Sequence, residues 1–320
     1  MTKHQVNEFH PDLENVIERL QTIGKEVMAI HADDVDKNAR FPFETFSILK
    51  KEKLLSCYVP KELGGMGFSI LDLAKMCEVM GRYCGSTAMI FAMHQIQVGC
   101  ITHHALTNSF FKNYLKELVD NQYLLASATT EKGIGGDVRS SLCFAEYENE
   151  MVSVIKEALV ISYAEAADAI LVTCRKNSHS SQSDQIHILA QKSDCHLTAI
   201  KSWDTLGLRG TCSIGYTLEV KCKVDQVLPG PYADIHAKSM HPFSHILWSC
   251  LWYGMAYESV ARARSFVKKK KKKKEVVPQL LAIRLAEVDS LLFGMKNIIY
   301  NQVNEYKILL ENNEEDSFKD

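Results

Sequence analysis

The absences in this chain narrow its class before anything present does. Its ten cysteines include no C-x-x-C pair; they are scattered from Cys57 to Cys250, and most sit among apolar neighbours, as at Cys77, Cys100 and Cys250. That usage argues against a disulfide framework and against a zinc site, and it reads as reduced core thiols in a cytoplasmic protein. The N-terminal residues Met1-Thr2-Lys3-His4-Gln5 turn polar at once and open no apolar segment, so neither a signal peptide nor export is expected. A bilayer crossing needs ~20 apolar residues in a row. The uncharged stretch around residues 246–257 is shorter and reads as a buried helix, so no membrane span is expected. Charge of one sign is also lacking. Lys and Arg number 37 against 39 Asp and Glu, and a formal net charge of -2 gives no global attraction to nucleic acid.

At 320 residues and 46% hydrophobic content, the chain has enough apolar material for a large core and is expected to divide into two or three domains. Leu13, Val16, Ile17, Leu20, Ile23 and Val27 recur at helical spacing, and Pro42 opens a second such stretch through Phe43, Phe46 and Leu49. Gly64-Gly65-Met66-Gly67 breaks the pattern, and Ser69 with Asp72 forms the sequence of a capping box for a third helix. Ser86 is a candidate cap for a fourth, residues 87–100, whose apolar residues run nearly all round, as in a helix surrounded by others. After Gln122 the period shortens. Residues 123–128, 151–155, 169–173, 185–190 and 216–224 are rich in branched and aromatic side chains and read as strands of an antiparallel sheet or barrel. Past Pro229-Gly230-Pro231 helical spacing returns in residues 243–270 and 278–310, with Pro278 in a first helical turn. The expected architecture is therefore α+β and multidomain: an N-terminal all-α domain over 1–121, a middle β domain over 122–234 and a partial C-terminal helical bundle over 235–320.

Three segments in this order carry a family resemblance. Leu54-Leu55-Ser56-Cys57-Tyr58-Val59-Pro60-Lys61-Glu62-Leu63-Gly64-Gly65-Met66-Gly67 resembles the "GLLGLTVPEEYGGLG" turn of acyl-CoA dehydrogenases. Thr129-Thr130-Glu131-Lys132-Gly133-Ile134-Gly135-Gly136-Asp137 is similar to their "TEPGAGSD" loop, and Leu206-Gly207-Leu208-Arg209-Gly210-Thr211 to their "LGLRGTGS" segment. The resemblance implies an FAD-dependent α,β-dehydrogenation of an acyl-CoA or similar thioester, a place in fatty acid metabolism and assembly into a homo- or hetero-oligomer. It also implies site residues. Thr129 and Thr130 are expected to offer donors to the polar edge of the flavin, and Ile161 with Ser162 stands where the family has the "IT" of its "NGxKxWIT" strand, the hydroxyl lying near the flavin's reactive nitrogen. Gly136 and His94 are expected on the substrate side. The physical logic is independent of the family: a Gly-rich turn lets backbone approach a flat ligand, and donors at its polar edge stabilise charge that develops on reduction. Without the resemblance, the same glycines read simply as a tight turn and His94 as a core histidine.

Departures from the family pattern shape the expectation. Gly136 stands where the family has a serine that reaches the acyl-CoA, and Val160 where it has the tryptophan that packs on the flavin. The segment His241-Pro242-Phe243-Ser244-His245 holds no carboxylate where a minority of members carry their base, and His241 or His245 is either a substitute or a packing residue. The helices that carry the base in most members would follow Leu310, so impaired dehydrogenation is expected, with oligomerisation covering the apolar side chains from Leu280 to Ile299. Arg209 reads either as a loop anchor or as a contact to an anionic cofactor, and the lysine run 268–274 either as a solvated helix end or as a patch for CoA phosphates or an anionic surface. Two other functions fit the same fold: a catalytically silent binding or assembly protein, and a flavin-dependent monooxygenase, which needs no carboxylate base.

Overall fold

The computed structural model describes residues 9–272 and 279–312. Helices come first: α1 (Leu13–Ile23), which runs through a π-helical turn into α2 (Ala29–Lys37), then α3 (Phe43–Lys51), α4 (Ile70–Gly81), α5 (Gly85–His104) and α6 (Ser109–Asn121). The α4 start follows the sequence expectation. Ser69 Oγ accepts from the Asp72 N–H at 3.3 Å while Asp72 accepts from the Ser69 N–H at 2.7 Å, so two orphan donors are satisfied reciprocally. The expected cap at Ser86 is corrected: α5 begins at Gly85 behind Cys84, which places Ser86 inside the first turn.

Seven strands follow: β1 (Leu125–Ala128), β2 (Glu146–Glu148), β3 (Met151–Ile161), β4 (Ala169–Arg175), β5 (Gln185–Gln191), β6 (Cys195–Lys201) and β7 (Ile214–Lys223). They form two sheets, β1-β4-β5 and β2-β3-β7-β6, with every pair antiparallel except β1 and β4, which run parallel. The parallel pair departs from the antiparallel expectation. It arises because the chain crosses from β1 to the other sheet and back before laying down β4 beside β1. The chain then returns to helix: α7 (Tyr232–Ile235), a π-helical turn (His236–Met240), α8 (His241–Lys272) and α9 (Gln279–Asn312). The lysine run starts as the end of α8, while Lys273, Lys274 and Pro278 lie outside the described residues.

Two glycines bring α4 and α8 together. A side chain on Gly81 would lie 2.3 Å from the Leu251 carbonyl oxygen and one on Gly254 would lie 2.1 Å from that of Glu78, so each helix presents bare backbone to the other. The buried Glu78 is held there by Lys75, Arg82 and the Tyr300 hydroxyl of α9. No described helix is long and apolar enough to cross a membrane.

Candidate functional site

The loop after β1 is shaped by glycine. Gly133, Gly135 and Gly136 have φ of +96°, +63° and +89°, backbone states that side chains strain, and a Cβ on Gly135 or Gly136 would meet open space. Thr130 Oγ1 donates to the Val160 carbonyl at 3.2 Å, which sets the loop against the end of β3, two residues before Ser162. Beside it, the Thr129 carbonyl accepts from Thr173 Oγ1 at 3.5 Å. Ile161 is fully buried opposite Ile214. The loop and the end of β3 thus bring Thr130 and Ser162 together, with Thr129 and Ile161 flanking them.

Ser162 belongs to a directional hydroxyl chain. Thr211 Oγ1 lies 2.9 Å from the Leu208 carbonyl, which can only accept, so the Thr211 proton points there. Ser213 must then donate to Thr211 at 2.7 Å, and Ser162 to Ser213 at 2.8 Å. To donate to a ligand, Ser162 turns away from Ser213 and exchanges one hydrogen bond for another.

A buried ion pair, which sequence reading missed, fixes the base of the loop. Glu131 is 6% exposed and accepts from the N–H groups of Leu142 (3.0 Å) and Cys143 (2.6 Å). Lys156 on β3 is fully buried; its Nζ donates to the Thr173 carbonyl on β4 at 2.8 Å and lies 3.4 Å from Glu131. The pair therefore ties both sheets to the loop, and removing either partner would leave a buried charge alone. The two residues are 25 positions apart, so nothing local marks their pairing, although Lys156 falls on the same alternating face of β3 as Val152, Val154 and Ala158.

Beyond Gly136 the loop opens onto a cavity of about 730 Å³, lined also by Asp137, Arg139, Tyr232, His236 and His241. The π-helical turn places His236 five residues before His241 on one face, and a further helical turn brings His245 alongside; the ring centroids are 5.4 and 4.0 Å apart. Burial, and then its neighbour His241, push the His236 imidazole down to about 4, and burial lowers His241 too, so both are neutral at pH 7. Asp137 accepts from the Arg139 N–H at 3.0 Å and from its guanidinium at 3.2 Å, and these bonds hold its carboxyl below the usual range. His236 and Arg139 were not singled out from sequence.

His94 sits elsewhere. It is fully buried in α5, Nε2 donating to the Leu55 carbonyl at 2.7 Å and Nδ1 accepting from the Leu125 N–H at 3.0 Å, so it joins the helical region to β1 with both nitrogens engaged. Burial lowers its pKa to about 4. Arg209 acts as a loop anchor, donating to the carbonyls of Asp36 and Thr205 and to the Asp204 carboxylate.

Residues 10–122 match the family model described as acyl-CoA dehydrogenase, N-terminal domain. A probable acyl-CoA dehydrogenase, YngJ of Bacillus subtilis (strain 168), is 23% identical over 290 residues, covering 88% of this chain and 75% of the relative. Among solved structures, butyryl-CoA dehydrogenase from Megasphaera elsdenii superposes with a TM-score of 0.82 at 16% identity, over 93% of this chain and 80% of that one. KijD3, solved in complex with FMN and dTDP-3-amino-2,3,6-trideoxy-4-keto-3-methyl-D-glucose, gives 0.80 at 18% identity, over 94% and 74%. The shared fold is therefore common to a butyryl-CoA dehydrogenase and to a protein solved with FMN and a dTDP-sugar.

Proposed function

Because this chain belongs to the acyl-CoA dehydrogenase family, we propose that it is a flavin-dependent oxidoreductase that removes hydrogen from the α and β carbons of an acyl-CoA or similar thioester. Gly136 carries the reading: it is part of the glycine loop beside Thr130 and Ser162, and it also lines the 730 Å³ cavity, so a flavin and a substrate would meet at one place. Thr129, Thr130, Ile161 and Ser162 of a middle domain spanning 122–234 hold the FAD, and the open space over Gly135 and Gly136 fits the approach of a flat ring. When bound, the flavin supplies the acceptor for the hydride. The chain's own residues do the rest. Thr130 sets the loop through its bond to the Val160 carbonyl, Ser162 offers a hydroxyl donor when it turns from Ser213, and Glu131 and Lys156 keep the loop fixed beneath them.

Proton removal is the distinctive part. Asp137 is the carboxylate among the cavity's lining residues, and its bonds to Arg139 hold it low and make it a weak base, so the neutral imidazoles of His236 and His241 are the proton acceptors facing the cavity. The same feature favours a second reading, a flavin-dependent monooxygenase of the same fold, whose chemistry needs no carboxylate base. The ten unpaired cysteines suit a reducing cytoplasm. A second copy of the chain covers the apolar side chains exposed on α9, making the protein a homo-oligomer.

Assaying acyl-CoAs of several lengths separates these readings. Dehydrogenation that falls ~10²-fold or more in His236→Gln/His241→Gln, with flavin content unchanged, is expected. Turnover unaffected by the double substitution would remove the histidines from the mechanism, and an oxygen-dependent product would favour the monooxygenase.

A further inference from the structure

A second cavity, about 490 Å³, lies where the turn between α2 and α3 meets the β domain, and it shares no residue with the flavin group or the histidine cavity. Its walls are aromatic: Phe41 from that turn and Phe43 at the start of α3, with ring centroids 4.9 Å apart, Trp203 from the segment after β6, and Tyr216 from β7. Phe43 is 63% exposed, an unusual position for a phenylalanine that has a buried neighbour to pack on.

The charges on the walls are unequal in availability. The Arg40 guanidinium is already bound by two carboxylates, donating from Nη1 and Nη2 to Glu44 at 3.0 and 2.8 Å and from Nε to Asp34. Glu165 is exposed and engages its Oε1 with the Tyr216 hydroxyl at 3.1 Å, while Lys192 reaches only its backbone carbonyl, from an adjoining cavity. The Glu165 carboxylate thus faces a set of aromatic rings, whose negative faces attract cations, and the cation on the wall is neutralised where it stands. An anion would find no free donor of positive charge here. A neutral apolar molecule would fill the space but leave the carboxylate unused.

We propose that this cavity binds an organic cation, an amine or quaternary ammonium group on an apolar body, with its charge among Phe41, Phe43, Trp203 and Tyr216 and beside Glu165. The volume is that of a small-molecule site and the lining is largely apolar with few polar groups, as such sites require.

Choline and its uncharged isostere, in which a tert-butyl group replaces the trimethylammonium, are the probes, titrated into the full chain while the Trp203 indole resonance is followed. Saturable shifts with choline, about tenfold weaker with the isostere, are expected. Phe43→Ala and Glu165→Gln each weaken choline binding several-fold without changing the melting temperature, since both side chains are exposed. Equal affinity for the two probes, no saturable shift at Trp203, or choline binding unchanged in both variants would overturn the proposal. The measurement involves neither flavin nor thioester, so its outcome is independent of the dehydrogenase reading.

Discussion

Helices α5 and α9 are both long and both carry apolar side chains on more than one face, yet their surroundings are opposite. In α5 the residues from Ala88 to Ala92 are at most 7% exposed and Val98, Cys100 and Ile101 fully buried, whereas in α9 Leu280, Ile283, Leu291, Phe293 and Ile298 are 50–73% exposed. The polar groups follow the same division. His94 and Gln95 of α5 spend their hydrogen bonds on the backbone of Leu54, Leu55 and Leu125, sealing a seam between helices and sheet. On α9 Asp289 pairs with Arg264 and Tyr300 donates to Glu78, side-chain anchors to other helices, while Tyr306 donates to the Lys238 carbonyl and Arg284, Ser290 and Gln302 bond within the helix itself. An apolar stripe therefore reports that a helix expects a neighbour, and only the packed chain reports whether the neighbour is present.

Acid should break the sealed region first and with the largest effect. Burial lowers His94, His103 and His104 to about 4 and His187 to about 3, against an ordinary value near 6.5. The unfolded chain takes up these protons before the folded one does, so stability is complete above about pH 6.5 and is lost as pH falls towards 4, by up to ~1.4 kcal/mol per pH unit for each histidine titrating. Denaturant unfolding measured across that range reads the slope, and a flat profile would contradict the buried, neutral assignment. His94→Ala at pH 7 removes one partner from the seam and leaves the Leu125 N–H unsatisfied, so a loss of about 3 kcal/mol is expected in the same assay.

The candidate site sits between these extremes. Replacing Thr130 and Ser162 together by Ala removes the bond that sets the loop against β3 and the Ser162 hydroxyl, each worth roughly 1 kcal/mol, and should loosen flavin about tenfold or more in equilibrium dialysis. Retention equal to that of the parent chain would detach these residues from the flavin. The smallest effect on folding is expected at Leu291→Glu, within ~0.5 kcal/mol, because the side chain is 73% exposed. Its effect should instead appear in mass measured by light scattering, as a shift to smaller species; an unchanged mass would place any self-contact elsewhere.

What was legible in the sequence, and what was not, divides along the same physical line. The capping pair Ser69 and Asp72, the α, β, α order and the long C-terminal helices all rest on local spacing, and the structure contains them. Strands β2 and β6 escaped notice because they are sheet edges: Glu146, Tyr147 and Glu148 are all exposed, and β6 is exposed or half-buried throughout, so neither strand shows the apolar alternation of a covered face. Thr130 and Ser162 could be named from resemblance, but the proton direction from Ser162 through Ser213 to Thr211 depends on a contact, Ser162 to Ser213, between residues 51 positions apart. His236 was overlooked because it joins His241 through a π-helical turn, a spacing that helical periodicity does not anticipate.

The most direct test of the central claim is the absorbance spectrum of the purified chain, recorded anaerobically before and after addition of acyl-CoAs. The account predicts a bound flavin band that bleaches as a thioester is oxidised. A chain that binds no flavin even when FAD is supplied, or a bound flavin whose spectrum no acyl-CoA alters, would contradict it.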